Sequence, residues 1–415
     1  MLRVLELRLD QRLLVTRTLF AGGLVFDGTG SPVSGADVVV EDGRIVEVGP
    51  GLDGDERVDV SGKHVLPGLF DCHIHVVGSH LDTMKYMETP LSYAFIEAAR
   101  NLETTLRVGI TTVRDAGGAD LGIKMAVQDG LINGPRMQIS LTMLSQTGGH
   151  GDPWMICGGN LPIFPLYPGM PDCIVDGPEE MRKKVRELIR NGADVIKVAT
   201  TGGYLSDRDD PAEAHFAMDE LEMMVREAAA AGRWVMAHAH GAQGIKNAVR
   251  AGVRSIDHGT YLDDEAISLM LEHGTWLVPT LVSGEGTDEA LEDGVAMSEA
   301  VKTKIRELGH PELDSFRRAA EAGVKVAMGT DCPVAPHGRN LGELRLMAEN
   351  GLTPTQALVA ATSSAAELMG LQDELGTIEA GKRADLVVVD GDPFDFEKLS
   401  DRIQAVYKDG ARVVG

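Results

Sequence analysis

The sequence predicts an α/β fold: a (β/α)8 TIM barrel carrying a small β-sandwich domain formed from both chain ends. Three observations lead there. Eight short apolar runs alternate with amphipathic stretches through the middle of the chain, and eight parallel strands are the number that closes such a barrel. β-Branched segments broken by Gly, Asp and Pro gather at the two ends instead. The length of 415 residues accommodates one barrel of about 250 residues with a smaller unit beside it.

The elements follow in order. From about Leu13 to Val65, "LVFDGTG", "ADVVVEDGRIVEVG" and "KHVLPG" read as hairpin and sandwich strands, and the same pattern returns in "ELGTIEAGKRADLVVVDGDP" and "IQAVYKDGARVVG". Residues 1–66 plus 371–415 are therefore expected to form the β-sandwich domain, and residues 67–370 the barrel. Within the barrel the expected strands are "LFDCHIHVV", "GITTVRDAG", "RMQISLTML", "DVIKVATTG", "WVMAHAHG", "RSIDHGTY", "TWLVPTLV" and "KVAMGTDCP". Helical patterns such as "PEEMRKKVRELIRNGA" and "MDELEMMVREAAAAGR" separate them, and Gly or Asn follows several as a C-terminal stop.

Composition narrows the class of function. A net charge of −24 argues against a nucleic-acid partner, because phosphate binding needs a basic surface. No apolar run reaches the roughly 18 residues of a membrane span, and charges interrupt the opening "MLRVLELRLDQRLLVTRTLF", so neither a membrane helix nor a signal peptide is expected and the location expected is cytoplasmic. Cys72, Cys157, Cys173 and Cys332 form no Cys-x-x-Cys pair, and thiols rather than disulfides are expected.

The chemistry is written at the strand ends, where a TIM barrel gathers its functional residues. The first expected strand ends in His73 and His75, the fourth carries Lys197, the fifth ends in His238, the sixth in His258 and the eighth in Asp331. Residues i and i+2 of a strand point to the same side, so His73 and His75 can reach one cation. Neutral imidazole suits zinc and a carboxylate completes the set. Lys197 joins only if its amine is deprotonated and takes up carbon dioxide as a carbamate. Taken singly, each feature has a plainer reading: a His-x-His pair is commonly structural, an apolar-strand lysine commonly snorkels, and "GTD" and "DHG" are turn signals. The whole set at successive strand ends points to a metal centre.

The chain resembles the amidohydrolase superfamily over nearly its full length, from "GGLVFDGTG" through "VLPGLFDCHIHV" to "LGTIEAGKRADLVVVDGDP". Within it, "TTVRDAGG", "TGGHGD", "IKVATTGG", "MAHAHG", "DHGTYLDDE" and "GTDCP" are similar to the branch of imidazolonepropionase-like proteins and metal-dependent prolidases. The resemblance implies two divalent cations, with zinc the expected metal. His73, His75 and Asp331 would hold the more buried one, His238 and His258 the more exposed one, and carboxylated Lys197 would bridge them. It also implies hydrolysis of an amide bond by an activated water, with Asp331 passing a proton to the departing amine, and association into a homo-oligomer.

The remaining candidates surround that centre. His150, in the Gly-rich "TGGHGD", is placed to stabilise a carbonyl oxygen, or is a solvent-facing loop histidine. Tyr204 in "TTGGYLS" and Arg114 in "TTVRDAGG" are candidates to bind a substrate carboxylate, although Arg114 could equally form a salt bridge with Asp115 or within the barrel. His240, Tyr261 and His337 are weaker substrate candidates, His240 being as plausibly structural. Cys332 beside Asp331 is read as packing. The expected substrate is a small molecule or dipeptide, cut as by an Xaa-Pro dipeptidase or an N-acyl amino-acid hydrolase. "WMICGGNLPIFPLYPGM" would then serve as an apolar lid. Alternatives are an Xaa-Lys or Xaa-Arg dipeptidase using Asp207, Asp209 or Asp210, a cyclic-amide hydrolase like imidazolonepropionase, and a non-catalytic scaffold on the same fold, which would predict missing ligands.

Overall fold

The computed structural model describes residues 16–164, 167 and 170–415. The charged opening therefore lies largely outside the described residues, as do Pro165, Leu166, Pro168 and Gly169 of the expected lid. The fold is mixed α/β.

The chain ends form two sheets. One runs Arg44–Gly49, Asp37–Glu41, Thr18–Ala21, Glu56–Asp59; the other runs Ala411–Val414, Ile403–Lys408, Leu386–Asp390, Lys63–Pro67, Leu24–Val25, Ser34–Gly35. Leu386–Asp390 pairs antiparallel with Lys63–Pro67, joining sequence positions more than 300 residues apart. Phe20, Val38, Val40 and Ile45 from the first sheet share a core with Val65, Leu386, Val388 and Tyr407 from the second, and Phe20 meets Tyr407 edge to face at 4.8 Å. Strand alternation explains how this unit attaches to the rest: Val387 and Val389, on the opposite face of the same strand, belong to the main core.

The middle of the chain holds two parallel sheets. Leu69–Ile74, Ile110–Asp115 and Arg136–Ile139 form one; Met143–Leu144, Val195–Ala199, Trp234–Ala239, Ser255–His258 and Trp276–Val278 form the other. They read as near-continuous apolar runs because helices cover them, and most of their residues are buried. Left-handed glycines end the intervening helices at Gly252, Gly274 and Gly323.

Two expected strands are corrected. "RMQISLTML" is broken at Leu141, whose φ of 70° turns the chain and puts its two halves in different sheets. "KVAMGTDCP" forms no regular strand. It makes isolated parallel bridges to both neighbours, Leu277 with Val326 and Ile74 with Cys332. At Gly329 the backbone passes so close that a Cβ would lie 2.4 Å from Val278 and 2.9 Å from the His73 nitrogen, and Thr330 N–H is shared between the His73 carbonyl and the Asp71 carboxylate, each at 3.1 Å.

Candidate metal centre

Parallel register sets the ligand-type side chains next to one another. Ala199 pairs with His238 and Ala239 with His258, so imidazoles leave the same ends of adjacent strands. Two groups result: His73, His75 and Asp331 in one, His238, His240 and His258 in the other, each with its candidate ligand atoms within 4.8 Å of one another. Asp331 Oδ1 lies 3.2 Å from His73 Nε2 and 3.1 Å from His75 Nε2. Both groups and Lys197 line a single cavity of about 1480 Å³.

Each ring is oriented by an oxygen on one of its nitrogens. His75 Nδ1 lies 2.9 Å from the Gly117 carbonyl and His73 Nδ1 2.9 Å from Asp257. His240 Nδ1 meets Thr260 Oγ1 at 2.6 Å and His258 Nδ1 meets Thr280 Oγ1 at 2.7 Å, while His238 uses Nε2, 3.2 Å from the Gly202 carbonyl. Such partners fix which nitrogen is left for a cation. Burial, with the neighbouring imidazoles of His150, His240 and His258, pushes His238 well below its ordinary pKa. Burial and His240 do the same to His258, and burial and His150 take His240 down to about 3. These rings are neutral near pH 7, with lone pairs available. Burial would raise Asp331, but His73 and His75 hold it well below the usual carboxylate range. Three buried imidazoles crowded together, none of them in an ion pair among the described contacts, gain no stability from one another. The donor set fits a pair of divalent cations.

Residues 64–413 match the family described as the amidohydrolase family. The chain belongs to the amidohydrolase family. This amidohydrolase is 35% identical over 408 residues to ochratoxinase of Aspergillus niger, covering 94% of this chain and 84% of that one. It is 28% identical over 416 residues to imidazolonepropionase of Rhizorhabdus wittichii, covering 89% of each. A solved prolidase complexed with N-methylphosphonate-L-proline matches it with a TM-score of 0.88 at 38% identity, over 96% of this chain and 99% of that one. The expected likeness to the imidazolonepropionase and prolidase branch is therefore present, and the amidohydrolase is a hydrolase acting on amide bonds. Among the described residues no helix is long and apolar enough to cross a membrane.

The other candidates separate into those at the cavity and those behind it. His150 lines the cavity, stacks on His238 at 4.4 Å, and has its Nδ1 held by Ser206 Oγ at 2.9 Å and Asp209 Oδ2 at 3.1 Å. Tyr204 also lines it, packs edge-on against His240 and donates its hydroxyl to Tyr261 at 3.2 Å. Tyr261 itself is not among the lining residues. His240 also lines the cavity and stands in the second imidazole group, stacked on His258.

Arg114 is corrected as a substrate residue. It is 2% exposed, outside the cavity lining, and donates to the Cys72 carbonyl at 2.6 Å and to Asp257 at 3.3 Å, not to Asp115. His337 likewise lies outside the lining. Its Nε2 sits 2.9 Å from the Gly78 carbonyl, and burial lowers its pKa to about 4. Cys332 is buried, and burial pushes its thiol well above the ordinary range, as suits packing rather than attack.

Sequence reasoning missed Asp257, the hub of a buried charge cluster. It takes His73 on one side and Lys197 Nζ at 2.9 Å on the other, with Arg114 and Ser255 also bonded. Burial would raise its pKa, but Lys197, Arg114 and His73 drive it far below the normal range. Burial in turn lowers Lys197, against the pull of Asp257. A signal was present: a charge in mid-strand of a buried run requires a counter-charge, and "SIDHG", "TTVRDAG" and "VIKVA" each carry one.

Proposed function

We propose that this amidohydrolase is a binuclear metal-dependent enzyme cleaving the amide bond of an Xaa-Pro dipeptide or an N-acyl amino acid. The observation that carries the proposal is the pair of ligand groups opening, with Lys197, into one cavity. We read the two parallel sheets as arcs of one closed (β/α)8 barrel of residues 67–370. The bridges Leu277–Val326 and Ile74–Cys332 support closure, and the core shared by the two terminal sheets supports a β-sandwich built from residues 1–66 and 371–415.

His73, His75 and Asp331 would hold one cation and His238 and His258 the other, zinc in our reading because imidazoles make up most of the donors. Lys197 would take up carbon dioxide, with loss of a proton, and offer its carbamate oxygens to both. When bound, two such cations supply Lewis acidity toward a carbonyl and bring the pKa of a water to about 7. The chain's own residues do the rest. Asp331, held as a carboxylate, accepts a proton from the attacking water and delivers it to the leaving nitrogen. His150, with Nδ1 tied to Asp209 and Ser206, directs its other ring nitrogen to the carbonyl oxygen, and Tyr204 orients the same substrate from the rim.

Trp154, Met155, Leu161, Ile163 and Phe164 give the cavity an apolar wall, which supports an apolar substrate such as one carrying proline. The cavity exceeds the roughly 300–1,000 Å³ of an ordinary ligand site. That favours, as a second reading, an N-acyl amino acid with a bulky acyl group. The acids of "YLSDRDDP" support a basic leaving residue poorly, since Asp209 is paired with Lys304 and bonded to His150, Asp207 accepts from Ser298, and Asp210 is outside the lining. The test is a screen of Xaa-Pro, Xaa-Lys, Xaa-Arg and N-acyl amino-acid substrates with metal-loaded protein. Turnover concentrated in Xaa-Pro or N-acyl substrates is expected; turnover confined to Xaa-Lys and Xaa-Arg would overturn the substrate assignment.

A further inference from the structure

Helix Glu299–Leu308 forms one wall of the cavity yet is held by little apolar surface: of its described side chains only Val301 and Ile305 are buried. Its firm attachments are polar. Ser298 caps its start, 3.2 Å from Val301 N–H, and donates to Asp207. One helical face further on, the Lys304 ammonium donates to the carbonyls of Gly203 at 3.0 Å and Ser206 at 2.8 Å, to that of Asp209, and to the Asp209 carboxylate at 3.1 Å. An ammonium has three N–H donors, so the whole capacity of this lysine is spent on one turn.

That turn, residues 203–209, is the seat of His150. Ser206 and Asp209 hold its Nδ1, Gly203 N–H donates to the same Asp209 oxygen at 2.9 Å, and Ser206 also bonds Asp209 and the Gly203 carbonyl. The ring lies flat against Gly203, where a Cβ would come within 2.1 Å of its Cε1. Asp209 is 7% exposed. Burial would raise its pKa, but His150, Ser206 and Lys304 hold it far below the usual range.

We infer that Lys304 is a positioning residue: by docking helix Glu299–Leu308 onto the 203–209 turn it fixes the imidazole of His150 over the cavity. The turn's three carbonyls converge on no other cation among the described contacts, and Asp209 would otherwise face His150 as an incompletely balanced buried charge. Wall and turn then form one unit, so that a displaced helix releases the ring. The catalytic consequence rests on the role proposed above for His150; the mechanical coupling does not.

Hydrogen exchange of the metal-loaded chain tests the coupling without any substrate. Lys304→Met is expected to speed exchange about tenfold or more in 203–209 and 299–308 together, leaving Pro311–Ala322 unchanged. Lys304→Gln, which keeps an N–H donor, should give an intermediate result, and it serves if the Met variant does not accumulate. With L-leucyl-L-proline as probe, Lys304→Met should lower kcat by about 10- to 100-fold with little change in KM. In a His150→Gln background it should add less than about threefold, because the two residues act as one unit. Unchanged exchange in 203–209, or effects of the two substitutions that multiply, would overturn the inference. A wild-type chain inert toward leucyl-proline would count against the substrate reading alone, with the exchange result still deciding the coupling.

Discussion

Replacing Asp257 with Asn tests the buried charge cluster directly. The side chain is fully buried and bonds His73 Nδ1, Lys197 Nζ and Ser255 Oγ, each at 2.9 Å, and Arg114 at 3.3 Å. Asn keeps the volume and one acceptor but removes the only anion directly paired with Arg114 and Lys197 among the described residues. Stranding a buried charge costs about 3–5 kcal/mol. Lys197 relieves part of this by shedding its proton, which burial already favours, whereas Arg114 cannot. The expected loss is therefore at the low end, about 3 kcal/mol, or roughly a hundredfold in the unfolding equilibrium of the metal-free chain. Urea unfolding of the metal-free protein measures it, because bound metal would mask the change by mass action. A second consequence is separable. His73 loses the carboxylate that fixes its ring, so metal affinity, read by chelator competition, should fall about 10- to 100-fold. A variant with the wild-type urea midpoint and undiminished metal affinity would refute the reasoning that Asp257 both neutralises the cluster and orients His73.

Three further outcomes are expected. Lys197→Ala should leave fewer than two metals per chain by elemental analysis and reduce amide hydrolysis by about 100-fold or more; two metals with full activity would remove the carbamate proposal. Gly203→Ala should push His150 aside, because the new methyl would lie 2.1–2.7 Å from its ring atoms, and should lower kcat by about 100-fold with near-normal metal content. Burial raises Glu343 to about 8 even though it accepts Leu281 and Val282 N–H at 2.9 and 2.8 Å. Its carboxyl is then protonated in the folded chain and ionised in the unfolded chain between the ordinary value near 4.3 and about 8. The folded state binds the extra proton, so this group's contribution to stability falls as pH rises through that window. Glu343→Gln should flatten the decline, seen as a difference between variant and wild-type urea midpoints that grows from pH 5 to pH 8; a constant difference would sink the assignment.

What could be read from the sequence, and what could not, follows from how far apart the interacting residues are. "LFDCHIHVV", "VIKVATTG" and "WVMAHAHG" announced strands because parallel strands covered on both faces are continuously apolar. The meeting of His73 with His75, and of His238 with His258, followed from strand alternation and strand-end position. "KVAMGTDCP" misled because it keeps only isolated bridges to its neighbours, with Gly329 packed against Val278 and His73 and Thr330 N–H shared between the His73 carbonyl and the Asp71 carboxylate, which no local pattern reveals. Arg114 misled because an arginine beside a Gly-rich turn resembles an anion binder, while its actual partner, Asp257, lies 143 positions away. Lys304 gave no signal at all. Its acceptors are mostly backbone carbonyls 95 to 101 positions earlier, and carbonyls carry no sequence identity.

The backbone adds an argument the side chains do not. His258, Thr280 and Asp331 have φ values of 76°, 53° and 58°, in the left-handed region that non-glycine residues rarely enter. Each such residue costs on the order of 1–3 kcal/mol when held there. His258 ends a strand of the parallel sheets, Thr280 follows another by two residues, and Asp331 precedes the isolated bridge of Cys332 to Ile74; Thr280 Oγ1 holds His258 Nδ1 at 2.7 Å, while Asp331 reaches His73 and His75. A chain selected for stability alone would place glycine or asparagine at such positions. Here a β-branched threonine and two ligand-type residues occupy them, and the surrounding bonds enforce the geometry: Asp331 N–H donates to the His73 carbonyl at 2.7 Å, and Glu343 clamps Leu281 and Val282 directly after Thr280. Regular strand geometry would carry the chain straight on at these points. The left-handed conformation redirects the chain at three residues that line the cavity, so strain is held where side-chain direction toward the proposed cations matters.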